Sequence, residues 1–267
     1  MGATYHATAI VLRREPWKDS ARMYTLYTRE WGKILAVGRG TAKTLSKLGP
    51  HLEPYSLVEA HIARGRRIET LAGAVMKRVP DALVQSEARH VAAAFFAEAA
   101  DHFVKWSERD ERLWNLFETY LGDISSATDE QVPTHLANFA WRLMDALGYR
   151  PALDECISCK SDVQFGGGLF LPARGVILCS SCRPDERHLT AAMPLHAKEL
   201  AIISNHLKSV PASKQAFEGW HQNGEQVPAS VLGSGLAFLE AHLDRPLNSL
   251  PIVRSLILER LTVPSVV

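Results

Sequence analysis

Over the first eighty residues apolar and polar positions alternate with a period near two, as in half-buried antiparallel strands, and the pattern breaks at turn residues. It predicts five strands, at Tyr5 to Arg13, Arg22 to Thr28, Lys33 to Val37, Ser56 to Ala63 and Ile68 to Val79. Glu30-Trp31-Gly32 reads as a tight turn between the second and third, and Arg64-Gly65-Arg66-Arg67 as another between the fourth and fifth. Gly38 to Pro54 is a longer connection in which Gly40, Gly49 and Pro50 rule out a continuous element. Five short strands with one longer connection fit a small Greek-key barrel of the oligonucleotide-binding (OB) type, and an SH3-like barrel would read the same way.

After Pro80 the period changes to 3.6. In Glu87 to Trp106 the apolar face is Val91, Phe95, Ala99, His102, Phe103 and Trp106, and in Asp110 to Ile124 it is Leu113, Leu116, Phe117, Tyr120, Leu121 and Ile124. Pro133 suits the first turn of a third helix, with Leu136, Phe139, Leu143 and Leu147 inward and Gly148 at its end. Further helices are expected to start at Pro194, Pro228 and Pro251. In the second of these, Leu232, Leu236, Leu239 and Leu243 form the ridge, and Gly233 and Gly235 admit a close neighbour. The expected fold is therefore α+β and multidomain, a five-stranded OB-type β-barrel followed by an all-helical domain with an inserted four-cysteine zinc knuckle. The boundaries fall at residues 1–80 (barrel), 81–150 (helical, first part), 151–187 (cysteine segment) and 188–267 (helical, second part).

Charge changes this picture. The chain as a whole is +1, yet residues 1–80 hold fourteen Lys and Arg against six Asp and Glu, and the remainder is acidic. A basic balance confined to one small domain points to a polyanionic partner, because Lys and Arg neutralise phosphates and release their counterions. The loop from Gly38 to Lys47 carries Arg39, Lys43 and Lys47 among hydroxyls and glycines, Arg64, Arg66 and Arg67 cap the second hairpin, and Lys18 and Arg22 flank the first turn. Tyr5, Trp17, Tyr24, Tyr27 and Trp31 lie among these cations. Those that face inward are core, and those that face outward would be stacking platforms for unpaired bases.

The four cysteines form Cys156-x-x-Cys159 and Cys179-x-x-Cys182, separated by residues 160 to 178, within the spacing range of zinc sites. Two residues between cysteines let both thiolates of a knuckle reach one ion, and two knuckles close a tetrahedron with no open position, so one structural zinc is expected. Gly166, Gly167, Gly168, Pro172 and Gly175 turn the intervening chain back on itself. Four buried thiols or a redox pair are the alternatives. His51-Leu52-Glu53 echoes half of a deaminase motif, but no Pro-Cys-x-x-Cys accompanies it. With no metalloprotease, phosphate-loop, nucleophile-elbow or dinucleotide-binding motif either, no catalytic residue is assigned and the chain is not expected to be an enzyme. No stretch reaches the roughly 18 apolar residues of a membrane span. The start Met1-Gly2-Ala3-Thr4-Tyr5-His6 lacks the features of an export signal, so a reducing, cytoplasmic setting without membrane partners is expected.

Taken together, Ala9-Ile10-Val11-Leu12-Arg13, Asp19-Ser20-Ala21-Arg22, Thr28-Arg29-Glu30-Trp31-Gly32-Lys33 and Val37-Gly38-Arg39-Gly40 resemble the bacterial RecO family of DNA repair proteins. The basic loop, the helical body and Gly167-Gly168 ahead of Cys179-x-x-Cys182 extend the resemblance along the chain. It implies an OB fold, a helical domain and a zinc knuckle. It also implies a recombination mediator, nucleoid-associated in the cytoplasm, that binds single- and double-stranded DNA and anneals complementary strands. With RecR, such a mediator helps load RecA on strands coated by single-strand-binding protein, whose C-terminal tail it engages. The resemblance assigns no residues to that tail or to RecR. The other reading is a zinc-ribbon adaptor that uses its OB-like domain for RNA or protein.

Overall fold

The structure, a computed structural model, describes residues 3–78, 83, 85–182, 191–208 and 227–255. The expected end of the fifth strand at Val79, the boundary at Pro80 and the end of the cysteine segment at 183–187 lie outside the described residues. The chain divides into two compact units, Met1–Ala127 and Thr128–Val267.

The first unit is built on strands β1 (Thr4–Pro16), β2 (Arg22–Thr28), β3 (Gly32–Gly38), β4 (Leu57–Ala63) and β5 (Glu69–Arg78). They close into a barrel in the order β1-β2-β3-β5-β4, in which β3 and β5 run parallel and the other pairs antiparallel. That order and the parallel seam make it an OB-type barrel. β1 spans both neighbours because a bulge between Val11 and Arg13 bends it from β4 toward β2. Alternate residues point inward, so Ala7, Ala9, Val11, Tyr24, Leu26, Ile34, Ala36, Val58, Ala60, Ile62 and Leu71 fill the interior. A Cβ on Gly38 would lie 2.7 Å from the Tyr24 ring, so the glycine there leaves room for it.

β2 departs from simple alternation: from Met23 to Thr28 every residue is buried. Its outer face is covered by helices α1 (Glu87–Phe103) and α2 (Glu111–Ser126), which belong to the same unit. Tyr27 packs its ring 5.5 Å from Trp114 and 5.9 Å from Phe117, and its hydroxyl donates to the Asp110 carbonyl. α1 starts at Ser86, whose hydroxyl accepts from Arg89 N, and α2 at Asp110, whose carboxylate accepts from Leu113 N. α1 ends at Phe103, not at the expected Trp106, which lies in a short bridge alongside Lys33. The chain leaves the helix there because its backbone is captured by β3: Lys33 N donates to Lys105 O and Ser107 N to Lys33 O. Gly32 takes φ +67°, and a Cβ there would lie 2.2 Å from the Glu108 carbonyl oxygen, so the turn into β3 admits only glycine.

The second unit contains α3 (Val132–Ala146), a four-stranded sheet, and helices α4 (Ala197–Lys208), α5 (Ala229–Glu240) and α6 (Ser249–Val253). The sheet has the order β6 (Ala152–Cys156), β8 (Val176–Leu178), β7 (Gly168–Leu171), β9 (Met193–Leu195). Pro194 lies in β9, paired opposite Leu169, and the helix expected from Pro194 begins at Ala197 instead. Here a strand partner, absent from local sequence, overrides the preference of proline for a first helical turn. Pro133 and Pro228 do stand at helix starts. The core is an aromatic group: Trp141, Phe170 and Phe238 have ring centroids 5.5 to 5.6 Å apart. Trp141 Nε1 donates to Val231 O, and a Cβ on Gly235 would lie 2.9 Å from that nitrogen, which makes Gly235 the close approach its helix needed.

Candidate metal centre and nucleic-acid interface

Cys156 closes β6 and Cys179 follows β8 directly, and these strands are parallel neighbours with Cys156 opposite Ile177, so both knuckles form at the same end of the sheet. After Cys156 the chain turns: Lys160 N donates back to Cys156 O at 3.0 Å and Lys160 adopts φ +63°. The second knuckle runs through the short 3-10 turn Ser180–Cys182. All four Sγ atoms lie within 4.8 Å of one another, with Cys159 and Cys179 at 3.7 Å. A tetrahedron of thiolates around an ion at about 2.3 Å has edges of about 3.8 Å, whereas a disulfide needs about 2.05 Å. The four cysteines can therefore hold one metal ion, and they are free thiols in this arrangement.

Local electrostatics favours thiolates at the first knuckle. Backbone amides of Cys159 and Cys179 point at Cys156 Sγ and hold its thiol down to about 6. Ser161, whose Oγ lies 3.1 Å from Cys159 Sγ, lowers the Cys159 thiol. Cys182 is pushed up to about 12, first by its hydrogen bond to Cys159 and then by those to Cys179 and Cys156, because a thiol that donates to neighbouring sulfurs is held protonated. Ser161 was not singled out in the sequence; its position two residues past Cys159 was the available signal. Cys156 is fully buried and Cys159 exposed, so the cluster lies at the edge of its unit.

The structure sorts thirteen of the fourteen barrel cations into two kinds, and the fourteenth, Lys77, is exposed on β5 with no ion pair among the described residues. Arg13 and Lys33 lie against Asp101, Arg14 against Glu53, Arg29 against Glu111, and Arg78 donates to the Glu118 carbonyl. Lys33 is buried, with its ammonium on Asp101 and 4.6 Å above the Trp106 ring. Lys18, Arg22, Arg39, Lys43, Lys47, Arg64, Arg66 and Arg67 are different. Among the described residues no carboxylate lies within ion-pair distance of any of these eight, and all but the half-buried Arg22 are exposed.

The eight form two groups. Arg22 is opposite Gly38 in the β2–β3 register, and Ala42 N donates to Ser20 O at 2.9 Å, which ties the loop after β3 to the turn after β1. Lys18, Arg22, Arg39, Lys43 and Lys47 thus share one end of the β2–β3 hairpin. The loop is not free: Thr41 is buried and its hydroxyl donates to Gly38 O, Ser46 N donates to Lys43 O, and Gly49 N to Ser46 Oγ. Arg64, Arg66 and Arg67 stand at the opposite end, beside the β2–β3 turn, where the Arg64 guanidinium lies 5.3 Å from the Trp31 ring. The seven residues of β2 separate the groups by roughly 20 Å. Of the five aromatics among these cations, Tyr24 and Tyr27 are fully buried, Tyr5 is half-buried, and Trp17 and Trp31 are each 42 % exposed. His51 is occupied within the barrel, its Nδ1 accepting from Met76 N.

Residues 1–79 match the domain family described as recombination protein O, N terminal, and residues 88–251 the one described as recombination protein O, C terminal. The chain belongs to the RecO family. It is 30% identical over 257 residues to the DNA repair protein RecO of Cutibacterium acnes, covering 94% of this chain and 98% of that one. It is 33% identical over 183 residues to that of Rubrobacter xylanophilus, 68% of this chain and 73% of the other. To the RecO of Geobacter metallireducens it is 27% identical over 252 residues, 93% and 96% of the two chains. This RecO-family chain is a DNA repair protein of mixed α+β fold. Among the described residues no helix is long and apolar enough to cross a membrane.

Proposed function

We propose that this protein is a recombination mediator that binds single- and double-stranded DNA through its barrel domain, residues 1–80, and anneals complementary strands. With RecR it promotes RecA loading on DNA coated by single-strand-binding protein, whose C-terminal tail it engages. The observation that carries the reading is that Lys18, Arg22, Arg39, Lys43, Lys47, Arg64, Arg66 and Arg67 of the barrel have no carboxylate partner among the described residues, in a chain of the RecO family. Annealing needs no catalytic residue: cations that screen the repulsion between two phosphate backbones, while leaving base edges free, lower the barrier to pairing. The protein acts by binding, in the cytoplasm at the nucleoid.

The cysteine segment, 151–187, binds one structural zinc ion through Cys156, Cys159, Cys179 and Cys182. Four thiolates leave it no open coordination position, so its contribution is to hold β6 and β8 and the two knuckles in register. The test of function is strand annealing: the purified full chain is mixed with complementary DNA oligonucleotides and duplex formation followed by fluorescence. Acceleration over the protein-free rate is expected, with DNA retained in preference to RNA. Binding to RNA alone, or no acceleration at any protein concentration, would refute the proposal.

A further inference from the structure

At the end of the barrel away from the basic loop, three side chains from three segments form one stack. Tyr5, from β1, seals the barrel interior from below and meets Trp31 edge-on, ring centroids 5.2 Å apart at 61°. The Arg64 guanidinium, from the β4–β5 hairpin, lies over both rings, 5.4 Å from Tyr5 and 5.3 Å from Trp31. The acids here are engaged by the barrel itself: Glu69 accepts from the Gly65 amide and pairs with the Tyr5 hydroxyl, and Glu30 accepts from the Thr8 amide. Arg64, Arg66 and Arg67 therefore keep their charge outward.

An exposed indole normally costs hydrophobic free energy and rotamer freedom when it is ordered against nothing. Trp31 is 42 % exposed, yet the Tyr5 ring and the Arg64 guanidinium both lie against it and fix its plane. Trp17, equally exposed, has no ring or cation against it among the described residues. A pre-oriented, partly exposed indole with a planar guanidinium packed against it is the arrangement on which an unpaired base stacks at low entropic cost, while neighbouring arginines take its phosphates. Resting on the reading that the barrel binds DNA, we infer that Trp31 and Arg64 form a base-stacking platform for single-stranded DNA, with Tyr5 as the positioning residue beneath them. A duplex keeps its bases stacked on each other, so the platform distinguishes unpaired from paired strands, whereas the basic loop touches both through phosphate.

The experiment compares the full-length protein with Trp31→Ala, Trp31→Phe and Arg64→Lys by fluorescence anisotropy. The probes are an oligothymidylate of about 16 nucleotides, the upper site size of one OB fold, an abasic strand of equal length, and the matching duplex. Wild type should bind the base-bearing strand more tightly than the abasic one. Trp31→Ala should lose about 5-fold or more on the base-bearing strand, abolish its advantage over the abasic strand and leave duplex affinity within about two-fold. Trp31→Phe should retain the preference for bases, and Arg64→Lys, which keeps charge but not the plane, should weaken it. Melting temperature checks that Trp31→Ala is folded; if it is not, the abasic comparison and Trp31→Phe decide. Equal loss on strand and duplex, no loss in Trp31→Ala, or no preference of wild type for bases would overturn the platform and leave DNA binding standing. Failure of wild type to bind any of the three probes would overturn DNA binding itself.

Discussion

Replacing Arg39, Lys43 and Lys47 together by Ala removes three exposed cations from one loop while leaving its scaffold intact, because the loop is held by Thr41, Ser46 and the Ala42–Ser20 backbone bond. If each cation neutralises one phosphate, the slope of log K against log salt on duplex DNA falls by about 0.9 per contact, or about 2.7 in all. Between 50 and 200 mM salt, a slope difference of about 2.7 means that wild type loses about 40-fold more affinity than the triple mutant. On single strands, at about 0.7 per contact, the slope should fall by about 2.1. The assay is anisotropy titration at several salt concentrations on unrelated sequences, which should respond alike because phosphate contacts carry no sequence information. Annealing should slow in parallel, and the melting temperature should not move, since none of the three side chains packs in the core. An unchanged salt slope would refute the assignment of this loop to phosphate and shift the DNA path to the Arg64 end of the barrel.

Metal analysis of protein purified without chelator should give about one zinc per chain, and Cys156→Ser should release it and lower the melting temperature, because metal binding and local folding are coupled. Zinc-free protein that melts as wild type does would refute the site. A fragment ending at Ala127 should fold and bind DNA with the salt dependence of the full chain, whereas one ending near residue 80 should unfold or aggregate, having lost the Trp114 and Phe117 cover of Tyr27; circular dichroism and sedimentation decide. His206 is buried beside Arg142, whose backbone partner is His206 O, and desolvation and that charge hold its imidazole well below its ordinary value of 6.5. The unfolded chain takes up a proton near 6.5 that the folded chain refuses, so His206 contributes stability above that pH and loses it as pH falls below. His206→Gln should flatten the stability profile between about pH 7 and 5 in denaturant titrations; an unchanged profile would refute the assignment.

The four-cysteine cluster was legible because its information is local: two knuckles of fixed spacing bring the thiols together wherever the flanking strands meet. The barrel was legible for a related reason, since a period of two, tight turns at Trp31 and Gly65 and a long third connection leave few closures. The structure selected among them through the parallel pairing of Ala36 and Val37 with Glu69 and Thr70. That contact joins residues far apart in the chain, and nothing in either strand alone distinguishes it from antiparallel pairing.

Composition counted fourteen barrel cations and could not rank them. Tertiary structure spent Arg13, Arg14, Arg29, Lys33 and Arg78 on carboxylates and carbonyls, mostly from helices that follow the barrel in the chain. Aromatic positions divided in the same way: Tyr27 is buried because two helices happen to cover its face of β2, and Trp31 is presented because Tyr5 and Arg64 arrive beside it from other segments. Pro194, read locally as a helix start, became a strand residue once Leu169 lay opposite it. What the sequence by itself determined was therefore whatever short-range spacing encodes: strand and helix periods, turns and thiolate geometry. Which charges and rings remain available to a partner was decided only by long-range packing, because availability depends on neighbours that the chain supplies from elsewhere.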